Sequence, residues 1–351
     1  MAYIHVEDVK SAVIASADPG TDLPAAWPIY TEIPTAAAER AGQEGSDTWD
    51  SCGMEAQTGD ADAAAGSGSE PAAANAAADA EEAAEAGGQD EPELLGYTPF
   101  YGDPYLKKSN ANYQWHHEML DSNAAWKAGY TGKGIRVAIL DTGVMPGHTE
   151  FKNTANNKII GKAYYQVTGQ NKGMVKADTL NDKNGNGTHL AGLVAAVAGN
   201  GSLGCGVAPD AQLLVANIHD PNLEYATTES LYYALQFVRK DWKPDIVVIG
   251  TNFYGYSKLV EEQMTLLYED GIAVFCAAGD DGSNQTVYPA GCKRAISVGA
   301  VGMNNKPTET SNNNTQIRYS GPGYEVVSSF KTSSTASEKI TGTAQACGCV
   351  A

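Results

Sequence analysis

Basic residues are nearly absent from the first quarter of this chain, where only Lys10 and Arg40 occur among residues 1–95. The same stretch holds 20 of the 42 acidic residues, so most of the net charge of −19 lies there. The remainder of the chain is close to neutral. Proteins that bind nucleic acids present a basic stripe or patch to the phosphates. The sequence shows neither feature, and we therefore expect no nucleic-acid partner.

Long apolar runs are also missing, since no segment approaches the ~20 apolar residues that a membrane-spanning helix requires. The first residues, MAYIHVEDVK, lack the basic start and the continuous apolar stretch of a secretory signal. The sequence therefore predicts no membrane span and leaves the cellular compartment open. CxxC pairs are absent too, so we expect the 6 cysteines to be buried or free thiols rather than zinc ligands.

Residues that could form a core are scarce between positions 59 and 93, where Ala, Gly, Asp and Glu dominate. Such a composition cannot offset its ordering entropy by burial, so residues 51–94 are predicted to be a disordered acidic linker. Residues 1–50 form a small segment of unknown structure that includes the strand-like alternation YIHVEDVKSAVIAS. Residues 95–351 are expected to form the main domain.

From about residue 95 onward, apolar strands alternate with amphipathic helices. The i, i+3, i+4, i+7 spacing of apolar residues from Leu231 to Val238 predicts one helix, and LAGLVAAVA predicts another. Short apolar runs predict strands at IRVAIL, AQLLVANI, DIVVIG, IAVFCAA and AISVGAV. Strands that are apolar throughout imply an α/β fold with a mainly parallel sheet and helices on both faces. Ligands of such sheets bind beyond the carboxyl ends of the strands, where Asp141 and Asp280 fall.

Two polar residues suggest general-base chemistry at this edge of the sheet. Asp141 ends the buried strand IRVAIL, where a carboxylate is costly unless another group donates to it. His189 lies in NGNGTHLAGLVAAVA, between a glycine-rich turn and a helix of small residues. A carboxylate followed by a histidine suits an imidazole base that the carboxylate orients. Taken singly, each residue is more often a cap or a satisfied turn residue.

Four blocks resemble, in the same order, the signature blocks of the subtilisin-like serine proteases (subtilases, peptidase family S8). They are GKGIRVAILDTGV, NGNGTHLAGLVAA with GVAP, AAGDDGSNQTVYPAGCKRAISVGAV, and GTAQACGCVA. The resemblance covers roughly residues 96–351 and implies the subtilisin fold, a peptide or protein ligand, and peptide-bond hydrolysis through an acyl-enzyme. It also implies that Asp141 orients the imidazole and that His189 is the general base. The family is largely secreted, although no leader is visible here.

The motif DKNGNG, which begins at Asp182, matches the first half of a calcium-binding EF-hand loop. The twelfth position of that loop would be Leu193, which cannot ligate calcium, so we interpret the match as a coincidence. Subtilases often carry structural calcium, but the sequence assigns no site for it. No other cofactor is expected.

The chain departs from the subtilase pattern at its most reactive positions. Ala344 stands at the nucleophile position, and a methyl group cannot attack a carbonyl. Asp280 stands where most members have an oxyanion-stabilising Asn, and it would repel an oxyanion if ionised but could donate if protonated. The segment Gly250, Thr251 and Asn252 replaces the usual S-L-G or S-F-G of the substrate-binding strand.

These departures predict a subtilase domain that is inactive or severely impaired as written: a pseudoprotease that still holds an extended peptide. The alternative is an active serine-type endopeptidase whose serine was changed, or whose nucleophile lies elsewhere, with Cys347 as the nearby candidate. A third possibility is a surface or scaffold protein that acts through its acidic segment. Only seven residues follow Ala344, so we expect a C-terminally truncated domain whose last helix is frayed, displaced or completed by something else. Substrate preference cannot be read from the sequence.

Overall fold

Eight strands form one sheet in the order β3-β2-β4-β1-β5-β6-β7-β8. The computed structural model describes residues 103–152 and 158–351, which belong to one compact unit. The sequence predictions for residues 1–50 and 51–94 lie outside the described residues. The sheet strands are β1 (Arg136–Asp141), β2 (Ile159–Thr168), β3 (Asn171–Lys176), β4 (Gln212–Asn217), β5 (Ile246–Ile249), β6 (Ala273–Ala277), β7 (Ile296–Val301) and β8 (Tyr319–Pro322).

Every neighbouring pair in this sheet is parallel except the β2–β3 hairpin. The prediction of a mainly parallel sheet is therefore confirmed. The sequence reading missed the hairpin, the strand β8, and a separate antiparallel pair formed by β9 (Val326–Ser329) and β10 (Ser337–Ile340). These elements are short or alternate with polar residues, so they lack the continuous apolar runs that marked the central strands.

Helices cover both faces of the sheet, as the alternating side chains of β1 show. Ala138 and Leu140 pack in one core with the helices of residues 228–237 and 258–269, whereas Val137 and Ile139 pack in a second core with the helices of residues 186–195 and 343–350. The α-helices are α1 (His116–Met119), α2 (Ser122–Lys127), α3 (Asn186–Ala195), α4 (Thr228–Phe237), α5 (Lys258–Glu269) and α6 (Thr343–Val350), with a π-helical turn at Val238–Trp242 and 3₁₀ turns at Pro104–Leu106 and Thr149–Phe151. None of the helices in the described part of the chain has the length and apolarity to cross a membrane.

The last helix, α6, is formed and packed rather than frayed or displaced, which corrects the expectation for this segment. Ala346, Cys347 and Cys349 are all buried, and the first two belong to the core under β7. Helix α6 contacts β5, β6, β7 and β8 as well as α3. The small residues of TGTAQACGCV allow this close approach, because Gly348 would meet Leu190 if it carried a side chain.

Candidate active site

Asp141 lies at the carboxyl end of β1, at the centre of the sheet, and is buried. Its Oδ1 accepts a hydrogen bond from the backbone N–H of Thr142 at 2.7 Å. Gly250, which follows β5, lies so close to Oδ2 that a side chain there would clash with the carboxyl group. Burial raises the pKa of Asp141 to about 6; the Thr142 hydrogen bond opposes this shift, and the negative charge of Asp182 adds to it.

His189, the general base expected from the sequence, forms no hydrogen bond with Asp141 among the described residues. His189 belongs to α3, and the residue is fully buried with 0% exposure. Its Nε2 donates to the backbone carbonyl of Glu338 at 3.1 Å, and among the described residues Nδ1 has no hydrogen-bond partner. Burial lowers the pKa of His189 to about 4, although the carbonyls of Glu338 and Val326 oppose the shift. An imidazole held in this way has no access to a ligand at the sheet edge.

The beginning of α3, rather than its interior, lies beside Asp141. The N–H of Gly187 donates to Thr142 Oγ1 at 2.9 Å, and Gly187 packs directly on the backbone of Gly143. Asn186 is the first residue of α3 and is exposed. The sequence analysis did not identify Asn186, because it considered only histidine as a base and did not consider the exposed first residue of the helix.

Ala344 and Asp280 lie together at the start of α6. Ala344 is the second residue of the helix and is half-buried. Asp280 follows the end of β6, and its carboxylate accepts from the backbone N–H of Thr343 at 2.8 Å and from Thr343 Oγ1 at 3.0 Å. Residue 280 is exposed as a whole, while its carboxyl group lies against α6. Burial of that group raises the pKa of Asp280, and the two bonds from Thr343 oppose the rise.

The segment Gly250, Thr251 and Asn252 runs on from β5, between the ends of β1 and β6. Neither Thr251 nor Asn252 forms a backbone hydrogen bond with any residue that the structure describes. The next residue, Phe253, pairs with Tyr288 through two backbone hydrogen bonds of 2.7 Å. A half-exposed stretch with free backbone groups therefore borders the site. The structure thus gathers Asp141, Asn186 and the segment 250–252 at one edge of the sheet, while His189 stays inside.

The family model described as the subtilase family matches residues 132–351. This chain belongs to the subtilase family. A search of solved structures found the same fold in a protease from Pseudoalteromonas arctica PAMC 21717, with a TM-score of 0.57, 22% identity, and coverage of 68% of this chain and 82% of that one.

Curated subtilases resemble the chain at modest identity. The major intracellular serine protease of Bacillus subtilis is 32% identical over 65% of this chain and 70% of its own length. Thermitase of Thermoactinomyces vulgaris is 28% identical over 71% of this chain and 81% of its own. The minor extracellular protease Epr of Bacillus subtilis is 29% identical over 62% of this chain, which spans only 31% of that protein.

Cys347 of this subtilase is a poor candidate for a replacement nucleophile. It is fully buried, and burial raises the pKa of its thiol far above the usual range. A nucleophilic cysteine needs an exposed thiolate, which low pKa and solvent access provide. The other cysteines that the structure describes, Cys205, Cys276, Cys292 and Cys349, are likewise free and buried. The expectation of buried, free thiols is confirmed for these five.

The described part of this subtilase contains one pair of buried carboxyl groups that could be compared with a calcium site. No group of three or more His, Cys, Asp or Glu side chains there could hold a metal ion. Asp103 and Glu150 are two buried carboxyls beside the loop 199–203, and Asp103 accepts from the N–H groups of Gly199 and Gly201. Glu150 Oε2 has no hydrogen-bond partner within residues 103–152 and 158–351, and burial raises the pKa of Glu150 to about 7. One free oxygen falls short of the six to eight that calcium takes, and we assign no cation site.

Proposed function

We propose that this subtilase domain binds an extended peptide without hydrolysing it. The observation that carries the proposal is Ala344, whose methyl group occupies the half-buried second position of α6. An acyl-enzyme cannot form on a methyl group. Loss of the serine from a catalytic triad leaves only about 10³–10⁴-fold acceleration over water, which comes from binding and the oxyanion site.

The base position supports the same conclusion. Asn186 is the exposed side chain at the start of α3, next to the turn after Asp141, and a carboxamide takes no proton near neutral pH. His189 is enclosed and donates to a backbone carbonyl. We therefore place the missing base at Asn186, and we assign to His189 a role in packing α3 against the β9–β10 pair.

The oxyanion position is also altered. Asp280 directs both carboxyl oxygens to Thr343, so an ionised Asp280 would place a negative charge where α6 begins. A helix N-terminus favours anions, and an ionised Asp280 meets that preference from within the protein. A developing oxyanion would be repelled, and the loss of one oxyanion donor alone costs about 10²–10³-fold in rate.

The peptide-binding half of the proposal depends on the segment 250–252. Thr251 and Asn252 present unpaired backbone groups in a half-exposed stretch at the end of β5. An extended peptide satisfies such groups by adding a strand, which gives affinity through the main chain and specificity through alternate side chains. Peptide affinity therefore does not depend on hydrolytic activity, because strand addition does not need residues 186, 280 or 344.

The test measures binding and hydrolysis separately on the full chain. Fluorescence anisotropy with a labelled peptide from an unfolded protein, and with its backbone N-methylated counterpart, reports strand addition. The variant Thr251→Pro removes a backbone donor, and Thr251→Ala is its matched control. We expect the peptide to bind, the N-methylated peptide to bind at least about tenfold more weakly, and only the proline variant to lose affinity.

Hydrolysis is followed with reduced, carboxymethylated casein and with a serine-directed fluorophosphonate probe. We expect neither cleavage nor a covalent adduct. An adduct mapped to a residue beside segment 250–252, together with casein cleavage, would instead show an active endopeptidase with a different nucleophile. Equal affinity for both peptides would remove the strand-addition part of the proposal.

A further inference from the structure

Asp182, in the loop between β3 and α3, accepts hydrogen bonds from five donors with one buried carboxylate. Its Oδ1 accepts from Thr142 Oγ1 at 2.8 Å and from the backbone N–H groups of Asn184 and Gly185 at 3.0 and 2.7 Å. Its Oδ2 accepts from the N–H and the hydroxyl of Thr188 at 2.9 and 2.6 Å. Asp182 thereby satisfies backbone donors at the start of α3 that have no partner within the helix.

The donors to Asp182 come from two separate elements of the site. Thr142 belongs to the turn after Asp141, whereas Gly185 and Thr188 belong to the start of α3. Both hydroxyls extend the connection: Thr142 Oγ1 accepts from the N–H of Gly187 at 2.9 Å, and Thr188 Oγ1 accepts from the N–H of Met145 at 3.0 Å. The turn and the helix start are therefore joined by two chains of hydrogen bonds that both pass through the same carboxylate.

We propose that Asp182 is the positioning residue of this site, holding the turn after Asp141 and the start of α3, with Asn186, in one fixed arrangement. The proposal concerns the site of the proposed function and depends on placing the ligand edge at Asp141 and α3. This role of Asp182 also accounts for the motif DKNGNG, which matches the first half of a calcium-binding loop. A calcium ion would need the oxygens of Asp182, and both are already engaged by protein donors.

The charge of Asp182 also acts on Asp141. Two carboxylates near each other disfavour a second negative charge, and Asp182 is one cause of the raised pKa of Asp141. Cys347 is another titratable side chain that senses Asp141, but it is neutral at ordinary pH. Asp182 thus acts on Asp141 electrostatically as well as through Thr142, and this second effect distinguishes positioning from a purely structural role.

The variants Asp182→Asn and Asp182→Ala test the proposal, with Asp178→Asn as the control because Asp178 is an exposed carboxylate of the same loop. The asparagine keeps one oxygen, which can still accept from Thr142, Asn184 and Gly185. Its NH₂ group cannot accept from Thr188. The alanine variant loses all five acceptor contacts.

Two measurements on the full chain read the outcome. The pKa of Asp141 is followed by carbon NMR of its side-chain carboxyl group during a pH titration. The exchange rates of the amide hydrogens of Gly185, Gly187 and Thr188 report whether the start of α3 is held. Neither measurement depends on peptide binding or hydrolysis, so failure here is separate from failure of the proposed function.

We expect the pKa of Asp141 to fall in both Asp182 variants and to stay unchanged in Asp178→Asn. We expect amide exchange to accelerate by about tenfold or more at Thr188 alone in Asp182→Asn, and at all three amides in Asp182→Ala. The proposal is overturned if the asparagine variant leaves the Asp141 pKa unchanged. It is also overturned if the three amides exchange as slowly in the alanine variant as in the unaltered chain. If the alanine variant does not fold, the asparagine variant decides.

Discussion

Asp280 Oδ1 lies 2.8 Å from the backbone nitrogen of Thr343, so the residue at the expected oxyanion position caps the helix that carries Ala344. The same carboxylate accepts from the Thr343 hydroxyl, which in turn accepts from the N–H of Gly279. The three contacts join the end of β6 to the start of α6. The carboxylate of Asp280 therefore stabilises the packing of α6 against the end of β6.

Removing this cap should lower the stability of the domain. Asp280→Ala is expected to reduce the free energy of unfolding by about 1 kcal/mol, the usual cost of losing a capping side chain. Asp280→Asn should cost less, because its amide oxygen can still accept from the Thr343 N–H. Urea unfolding measures both, with Asp281→Ala as the neighbouring control. Equal losses in all three variants would contradict the capping role.

Rebuilding the reactive groups should restore covalent chemistry only in combination. Ala344→Ser alone is expected to stay unlabelled by a fluorophosphonate, because in the proposed site Asn186 stands at the base position and a carboxamide takes no proton. Ala344→Ser with Asn186→His and Asp280→Asn should become labelled and should cleave casein at least about 10²-fold faster than the unaltered chain, as a positioned base typically contributes 10²–10⁴-fold. If Ala344→Ser alone is labelled as fast as the triple variant, the base is a residue other than 186. Adding His189→Ala to Ala344→Ser would then show whether His189 is that base.

Acid should destabilise the domain through a set of buried imidazoles. The ring centroids of His116 and His117 lie 4.2 Å apart with the rings tilted by 41°, and a positive charge on His189 would also disfavour protonation of His116. Burial lowers the pKa of His117 and of His189 to about 4, and it also lowers that of His116 well below the ordinary value of 6.5. At these three histidines the unfolded chain therefore binds more protons than the folded one below about pH 6.5. Their contribution to stability is fully present above that pH and is lost as the pH falls through their lowered pKa values. The buried carboxyl groups of Asp141 and Glu150, with pKa values raised to about 6 and about 7, act in the opposite direction over the same range.

Each such histidine should add roughly 1.4 kcal/mol per pH unit to the slope of unfolding free energy where it is protonated only in the unfolded chain. His116→Leu is expected to lower the slope of unfolding free energy against pH between pH 6.5 and 4 by the equivalent of up to one bound proton. Met119→Leu, in the same short helix α1, changes packing without removing a titratable group and should leave the slope unchanged. Urea unfolding at several pH values measures both, and identical slopes would refute the assignment.

Native thiols should resist alkylation. The five cysteines between residues 205 and 349 are buried, and burial raises the pKa of each thiol. Iodoacetamide at pH 8 is expected to modify them only in denaturant, because alkylation needs an exposed thiolate. Peptide mass spectrometry reads each site separately. Rapid native modification of Cys347 would reopen its candidacy as a nucleophile.

Glycine at 187 should be indispensable to the close contact between α3 and the turn after β1. A methyl group there would collide with the backbone of Gly143, whereas Gly173 in β3 has open space around it. Gly187→Ala is expected to destabilise the domain by about 1–3 kcal/mol, the usual cost of overpacking, and Gly173→Ala to change it far less. Thermal unfolding compares the two variants.

The central sheet could be predicted from sequence because its strands are buried on both faces and therefore read as uninterrupted apolar runs, as β1 and β5 do. The β2–β3 hairpin could not, because lysines and glycines interrupt its pattern on an edge that faces solvent. The edge of the sheet that carries Asp141 was predictable from the rule that parallel sheets bind ligands at the carboxyl ends of their strands.

The burial of His189 could not be predicted from the sequence. Residue type and spacing identify a histidine near a helix start, but they do not tell which side of the helix it faces. Asn186 and His189 are three positions apart, which is less than one helical turn, yet Asn186 is exposed and His189 is buried. The capping role of Asp280 was equally hidden, since its partner Thr343 lies 63 positions away.

Helix α6 serves two purposes on opposite sides. One side presents Ala344 at the sheet edge, and the other contributes Ala346 and Cys347 to the interior. A replacement on the outer side can abolish turnover while the folded state remains intact, whereas a replacement on the inner side threatens the whole domain. Such a division separates the positions where a substitution alters only the surface of the helix from those where it disturbs the interior.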